Sequence, residues 1–177
     1  MNRENPNFET KPESEREGRI KDIERQVDEI ADKLGMPIDK EIKDAVVALN
    51  VWGIPTSQSC EGHLQEKGAS FPWIEVYAPE PGGWEEGGEK EKEWIVENLK
   101  HRVKTMELLE EFYKDRETPF DAKLNFSNIG IYGGFRIQSM SVERMPIISD
   151  VEQKEKLLIY QKEMNDFAKF LKNKFLE

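Results

Sequence analysis

A single cysteine in a chain of 177 residues leaves no intramolecular disulfide to staple the fold. There is no apolar run of the roughly 18 or more residues that read as a membrane span, and no charged-then-apolar leader at the start. The expected setting is therefore the cytoplasm, away from any membrane. Basic residues are outnumbered, 26 Lys and Arg against 36 Asp and Glu, for a net charge of -10. That balance argues against broad, nonspecific binding of nucleic acid, which rests on Lys and Arg at phosphates, while leaving room for a local basic groove. Two histidines and one cysteine are too few for a four-ligand structural zinc site. No metal is assigned on this pattern; a site of Cys60, His63 and one carboxylate is the reduced alternative.

What the chain does have is length enough for one domain with a real core. Residues 1–18 are almost all Asn, Glu, Lys, Arg, Pro and Ser, with Phe8 the one large apolar side chain. Such a segment cannot offset the entropy of ordering it, so it is expected to be a disordered tail ahead of a single domain over residues 19–177. Ile20, Ile23, Val27, Ile30 and Leu34 recur at spacings of three and four, which predicts a helix with one buried stripe, closed by Gly35. Asp39 can cap a second helix that buries Ile42, Val46 and Leu49.

That second helix leads into LNVWGIPTSQSCEGH, residues 49–63, the stretch around which the rest is read. Gly53 takes the left-handed conformation most cheaply, Ile54 falls where a Schellman cap sets it against Leu49, and Pro55 cannot continue the helix. Thr56–Cys60 then reads as a short strand, with Glu61 and Gly62 turning the chain. Ligands of α/β sheets commonly sit outside the carboxyl ends of strands, which here means Cys60, Glu61, Gly62 and His63.

Leu64 to Ser70 reads as a polar loop, and FPWIEVYAP as a strand ended by Pro79. The following PEPGGWEEGGEKEKE is either a solvated connector or a lid tipped by Trp84. Residues 89–116 regain the helical period, with Ile95, Leu99, Met106, Leu109 and Tyr113 as the buried stripe and His101 off it, facing solvent. Two strands follow, expected as antiparallel neighbours in which Leu124 and Phe126, then Phe135, Ile137 and Ser139, mark one face. Gly133 and Gly134 point to a bulge or a close approach of backbone. Ser149 and Glu152 form a capping box for a last helix striped by Leu157, Gln161, Met164, Ala168, Leu171 and Phe175. The fold class that follows is α+β, a sheet of about four strands with helices packed on a face. Two successive helix–strand–strand units suggest a duplication, although their sequences are not alike enough to establish it.

SCEGH, placed after a helix that ends in Gly-Ile, resembles a pattern of small uncharacterised bacterial and phage proteins. More distantly it is similar to the tRNA methyltransferase family of wybutosine synthesis, with its Ser-Cys-Ser-Gly-Arg and Gly-Phe-Arg motifs. Ser59, Cys60 and Gly62 match the first motif, and Gly134, Phe135 and Arg136 the second; Glu61 and His63 stand where that family has serine and arginine. The resemblance implies a related fold, a pocket near both motifs, and S-adenosylmethionine and RNA as ligands.

From the residues themselves, Cys60 is a nucleophile if His63 lowers its thiol pKa, and otherwise a buried structural thiol. Glu61 is a general acid or base, or a turn residue. Arg136 either supplies charge for a carboxylate or phosphate or makes a surface salt bridge. If it meets the loop, the hydroxyls of Thr56, Ser57 and Ser59 and the Gly62 backbone add hydrogen bonds. Three functional classes follow. The first is an enzyme, a transferase or hydrolase acting on a nucleotide, nucleoside or RNA-derived substrate. The second is a noncatalytic small-molecule binding or sensing domain, and the third a protein-interaction adaptor.

Overall fold

The computed structural model describes residues 12–30, 35, 37–65, 68–140 and 147–177. Helix α1 spans Glu13–Asp28, α2 Lys40–Val51, α3 Glu89–Tyr113 and α4 Asp150–Leu176; strands β1 to β6 are Thr56–Cys60, His63–Gln65, Gly68–Ser70, Trp73–Val76, Leu124–Ile129 and Gly134–Ser139. Four of the strands form an antiparallel sheet in the order β1-β4-β6-β5, and β2 pairs with β3 in a separate antiparallel ribbon. This is the α+β class that the pattern of elements implied. Each helix–strand–strand unit places its second strand at the centre of the sheet and its first at an edge.

The helix end before β1 forms as its residues dictate. The Ile54 amide donates to the Leu49 carbonyl at 3.0 Å and the Gly53 amide to the Asn50 carbonyl at 2.9 Å, with Gly53 at φ +70. These are the two bonds of a Schellman motif, and both Leu49 and Ile54 are buried in the main core. The motif fixes where β1 starts, and hence where its far end delivers Cys60.

Residues directly opposite on antiparallel strands share a face. Ile74 and Val76 of β4, Phe135 and Ile137 of β6 and Leu124 of β5 lie on one face of the sheet, where they join α2, Leu108, Leu109 and Phe112 of α3, and Met164, Phe167, Ala168 and Leu171 of α4. The capping box at the start of α4 is present in both arms. Tyr77 explains Gly134: a methyl group there would lie 2.0 Å from the Tyr77 ring. Gly133, at φ +82, brings the β5–β6 turn against Asn98 and Ile95 of α3.

Several expectations are corrected. Helix α1 begins at Glu13, so part of the expected tail is helical; residues 1–11 and Leu34 lie outside the described residues. It ends at Asp28, not at Gly35, and Ile30 is exposed. The polar loop after His63 contains the β2/β3 ribbon, of which residues 66 and 67 are not described. Helix α3 is rotated from its expected face: it buries Trp94, Asn98, Thr105, Leu108, Leu109 and Phe112, while Leu99 and Met106 are exposed. Asn98 is buried because its side chain is a joint, accepting from the Ala78 amide at 2.7 Å and donating to the Tyr132 carbonyl at 3.0 Å. His101 shares the inward side, its side chain only 14% exposed, rather than facing solvent. Burial lowers its pKa from the ordinary 6.5; Glu97 opposes the shift, while Lys104 and Lys100 add to it.

Candidate functional site

The turn after β1 is built around Glu61 and Gly62. Gly62 sits at φ +86, a reversal that glycine makes without strain, and its amide donates to Cys60 Sγ at 3.4 Å. Every hydrogen-bonding part of Glu61 is engaged. Its amide donates to Asp39 Oδ2 at 3.2 Å, its carbonyl accepts from Gln161 Nε2 of α4 at 3.0 Å, and its carboxylate accepts from the Glu41 amide at 2.9 Å.

These bonds amount to an exchange of caps. Asp39 occupies the N-cap position of α2 but makes no capping bond to its own helix. Its carboxylate reaches instead to the turn, while the Glu61 carboxylate crosses back to an orphan amide in the first turn of α2. A negative group there meets both an unsatisfied N–H and the positive end of the helix dipole. The consequence is a turn locked to α2 from both directions. Glu61, offered by the sequence as an acid or base or a turn residue, is thus held as a strut.

The exchange turns Asp39 toward the site. Asp39, Cys60 and His63 each place one potential ligand atom so that all lie within 4.8 Å of one another. His63 Nε2 stands 3.5 Å from Asp39 Oδ2, and the two side chains are 45% and 36% exposed, so the cluster opens to solvent. A thiol, an imidazole and a carboxylate so arranged can hold a cation, or share a proton between sulfur and imidazole with the carboxylate orienting the ring. Asp39 was legible in the sequence only as a helix cap; its role here depends on Glu61, which lies 22 residues away along the chain.

Arg136 stands across the sheet on the same face. Cys60 pairs with Trp73, Trp73 with Gln138, and Glu75 with Arg136, so Cys60, Trp73, Glu75, Arg136 and Gln138 all project from the face opposite the core. Two strand spacings and two residues of offset put the Cα atoms of Cys60 and Arg136 about 12 Å apart. They do not touch, but a small ligand would bridge them. The guanidinium lies over the Trp73 ring at 4.0 Å and donates to Glu75 Oε1 at 2.5 Å. Its Nε is buried and meets no acceptor among the described residues. An ionic donor without an acceptor is costly, and Nε is the part of Arg136 that its salt bridge leaves unsatisfied.

Other expected contributors stand elsewhere. Thr56 is at the far end of β1, opposite Val76, and its hydroxyl accepts from Asn50 Nδ2 at 2.9 Å, tying the strand to the end of α2. Ser57 is exposed near the same end. Ser59 pairs with Ile74, which places it on the core side, away from the Cys60 face. The Gly62 amide is directed at sulfur. Trp84 packs on Trp94 and Tyr132 beside Tyr77, beyond the Val76 end of β4, whereas Cys60 lies at the Trp73 end. It pins its own loop and covers no part of the cluster. Trp73 and Glu75, which orient Arg136, are site residues that the alternation of β4 could have placed on one face but not beside Arg136. No protein-family model, no curated protein and no solved structure matches the chain.

Proposed function

We propose that the protein is an enzyme whose reaction centre is the Asp39–Cys60–His63 cluster and whose substrate is a small anionic compound bearing a planar ring, of the nucleotide, nucleoside or RNA-derived kind. The observation that carries this reading is Arg136: stacked on Trp73, on the Cys60 face, with a third of its side chain open to solvent. Its outward N–H groups can take a phosphate or carboxylate, and the outer face of the guanidinium offers a stacking surface for a ring. The span of about 12 Å from Arg136 to Cys60 suits a molecule of nucleotide size. The Ser-Cys-x-Gly and Gly-Phe-Arg motifs, flanking β4 on its two neighbours, support the same substrate class. Under that resemblance S-adenosylmethionine is the candidate second ligand.

A second reading, a binding or sensing domain without catalysis, is favoured by the openness of the cluster, since His63 is 45% exposed where reactions usually exclude water. Both readings place a ligand on this face. The test is the rate of Cys60 alkylation by iodoacetamide with and without a panel of nucleoside monophosphates. Protection by at least one of them, lost in Arg136→Met with the fold retained, supports the site; no protection across the panel overturns it. Turnover of the protecting ligand, or its absence, then decides between enzyme and binding domain.

A further inference from the structure

We infer that Asp39, Cys60 and His63 form a binding site for a single divalent cation of the zinc class, with at least one coordination position left open. The inference rests on the reading of this loop as the reaction centre and adds the cofactor. Three ligand types converge from three elements: the N-cap of α2, the end of β1 and the start of β2. An oxygen, a sulfur and a nitrogen donor within 4.8 Å of one another need only small side-chain adjustments to close on one ion.

The surroundings are those of a metal centre rather than of a chance meeting of polar groups. Asp39 is held by the Glu61 amide, and Cys60 Sγ receives the Gly62 amide. Glu61 itself is fixed by Glu41 and Gln161, so the frame behind the ligands has its positions set by hydrogen bonds. Such bonds behind the ligands orient them and keep them from collapsing onto one another.

The donor set also selects the ion. Thiolate and imidazole disfavour Mg²⁺ and Ca²⁺, which take oxygen ligands, and suit Zn²⁺ or Co²⁺. Three protein ligands are one short of the closed tetrahedron of structural sites, and they match the pattern in which water or substrate fills the remaining place. With His63 and Asp39 both open to solvent, that place is accessible. A metal-bound water of lowered pKa would then be the reactive group, and Cys60 a ligand rather than the attacking atom.

The test uses the full chain, stripped with chelator and titrated with Co²⁺. Expected are saturation at one ion per chain, a sulfur-to-cobalt charge-transfer band in the near ultraviolet, and displacement by Zn²⁺ but not by equimolar Mg²⁺. Cys60→Ser should abolish the band, and Asp39→Asn and His63→Gln should each weaken binding on the order of tenfold or more, with thermal melts confirming the fold. Absence of stoichiometric binding overturns the inference, as does binding indifferent to Asp39→Asn and His63→Gln. Since the readout is the metal alone, its failure leaves the nucleotide-protection test standing. Failure of that test with cobalt bound removes the substrate reading and leaves the metal site in place.

Discussion

Removing the Glu61 carboxylate should destabilise the protein through a helix on which Glu61 does not lie. In Glu61→Ala the Glu41 amide of α2 loses its acceptor, while the backbone bonds from residue 61 to Asp39 and Gln161 remain. Loss of a capping acceptor costs about 1 kcal/mol. Loss of the negative charge at the helix start adds about 0.3–1 kcal/mol. The expected total is about 1–2 kcal/mol, and Glu61→Gln, which keeps an acceptor but not the charge, should lose only the smaller part. With a urea slope of about 2 kcal/mol per molar, the alanine variant's midpoint falls by about 0.5–1 M with the slope unchanged. Combined with Asp39→Asn, the loss should be non-additive, since both side chains hold the same turn. An alanine variant as stable as the parent would refute the exchange of caps, and so would a glutamine variant as unstable as the alanine one.

Three further outcomes test the frame. Gly134→Ala drives a methyl group to 2.0 Å from the Tyr77 ring, so thermal unfolding should show a loss of about 1–3 kcal/mol, partly relieved by Tyr77→Ala. Tyr113→Phe strips the acceptor from the Leu124 amide, bonded at 2.8 Å, and should cost about 1–3 kcal/mol in urea titration; an unchanged midpoint would mean that water replaces the hydroxyl. His101, with its pKa lowered by burial, binds its proton less readily folded than unfolded. Its contribution is therefore present above the unfolded value of about 6.5 and lost as pH falls from there toward the depressed folded value. The ring signal that remains in His63→Gln should titrate below 6.5, and His101→Gln should flatten the stability profile over that interval.

What the sequence discloses and what it hides divides along the range of the interactions. The Schellman end at Gly53, the capping box at Ser149 and the alternation in β4 and β6 are local, each carried by residues a few positions apart, and all form as read. The buried face of α3 is hidden in the sequence because Asn98, Thr105 and His101 look like solvent residues and are in fact turned inward, Asn98 as a joint to Ala78 and Tyr132. Apolar residues alone therefore selected a stripe rotated toward solvent. The β2/β3 ribbon is too short and polar to announce itself. At the site, Cys60 and His63 were legible as neighbours along the chain. Asp39 was not, because its carboxylate is diverted from its own helix by an amide 22 residues later. Thr56, Ser57 and Ser59 were grouped with the site by proximity in sequence, which a strand undoes by alternating faces and carrying its two ends apart.

The claim on which the functional account depends is that Asp39, Cys60 and His63 act as one unit. The most direct measurement is the alkylation rate of Cys60 across pH in metal-stripped protein, compared among the parent, His63→Gln and Asp39→Asn. Because Cys60 is the sole cysteine, every modification reports on the site. A shared environment predicts that each substitution displaces the rate profile, since Cys60 would lose its imidazole neighbour in one case and that imidazole its carboxylate in the other. Profiles superimposable on the parent's in both variants would contradict the account, leaving three neighbouring groups with no common chemistry.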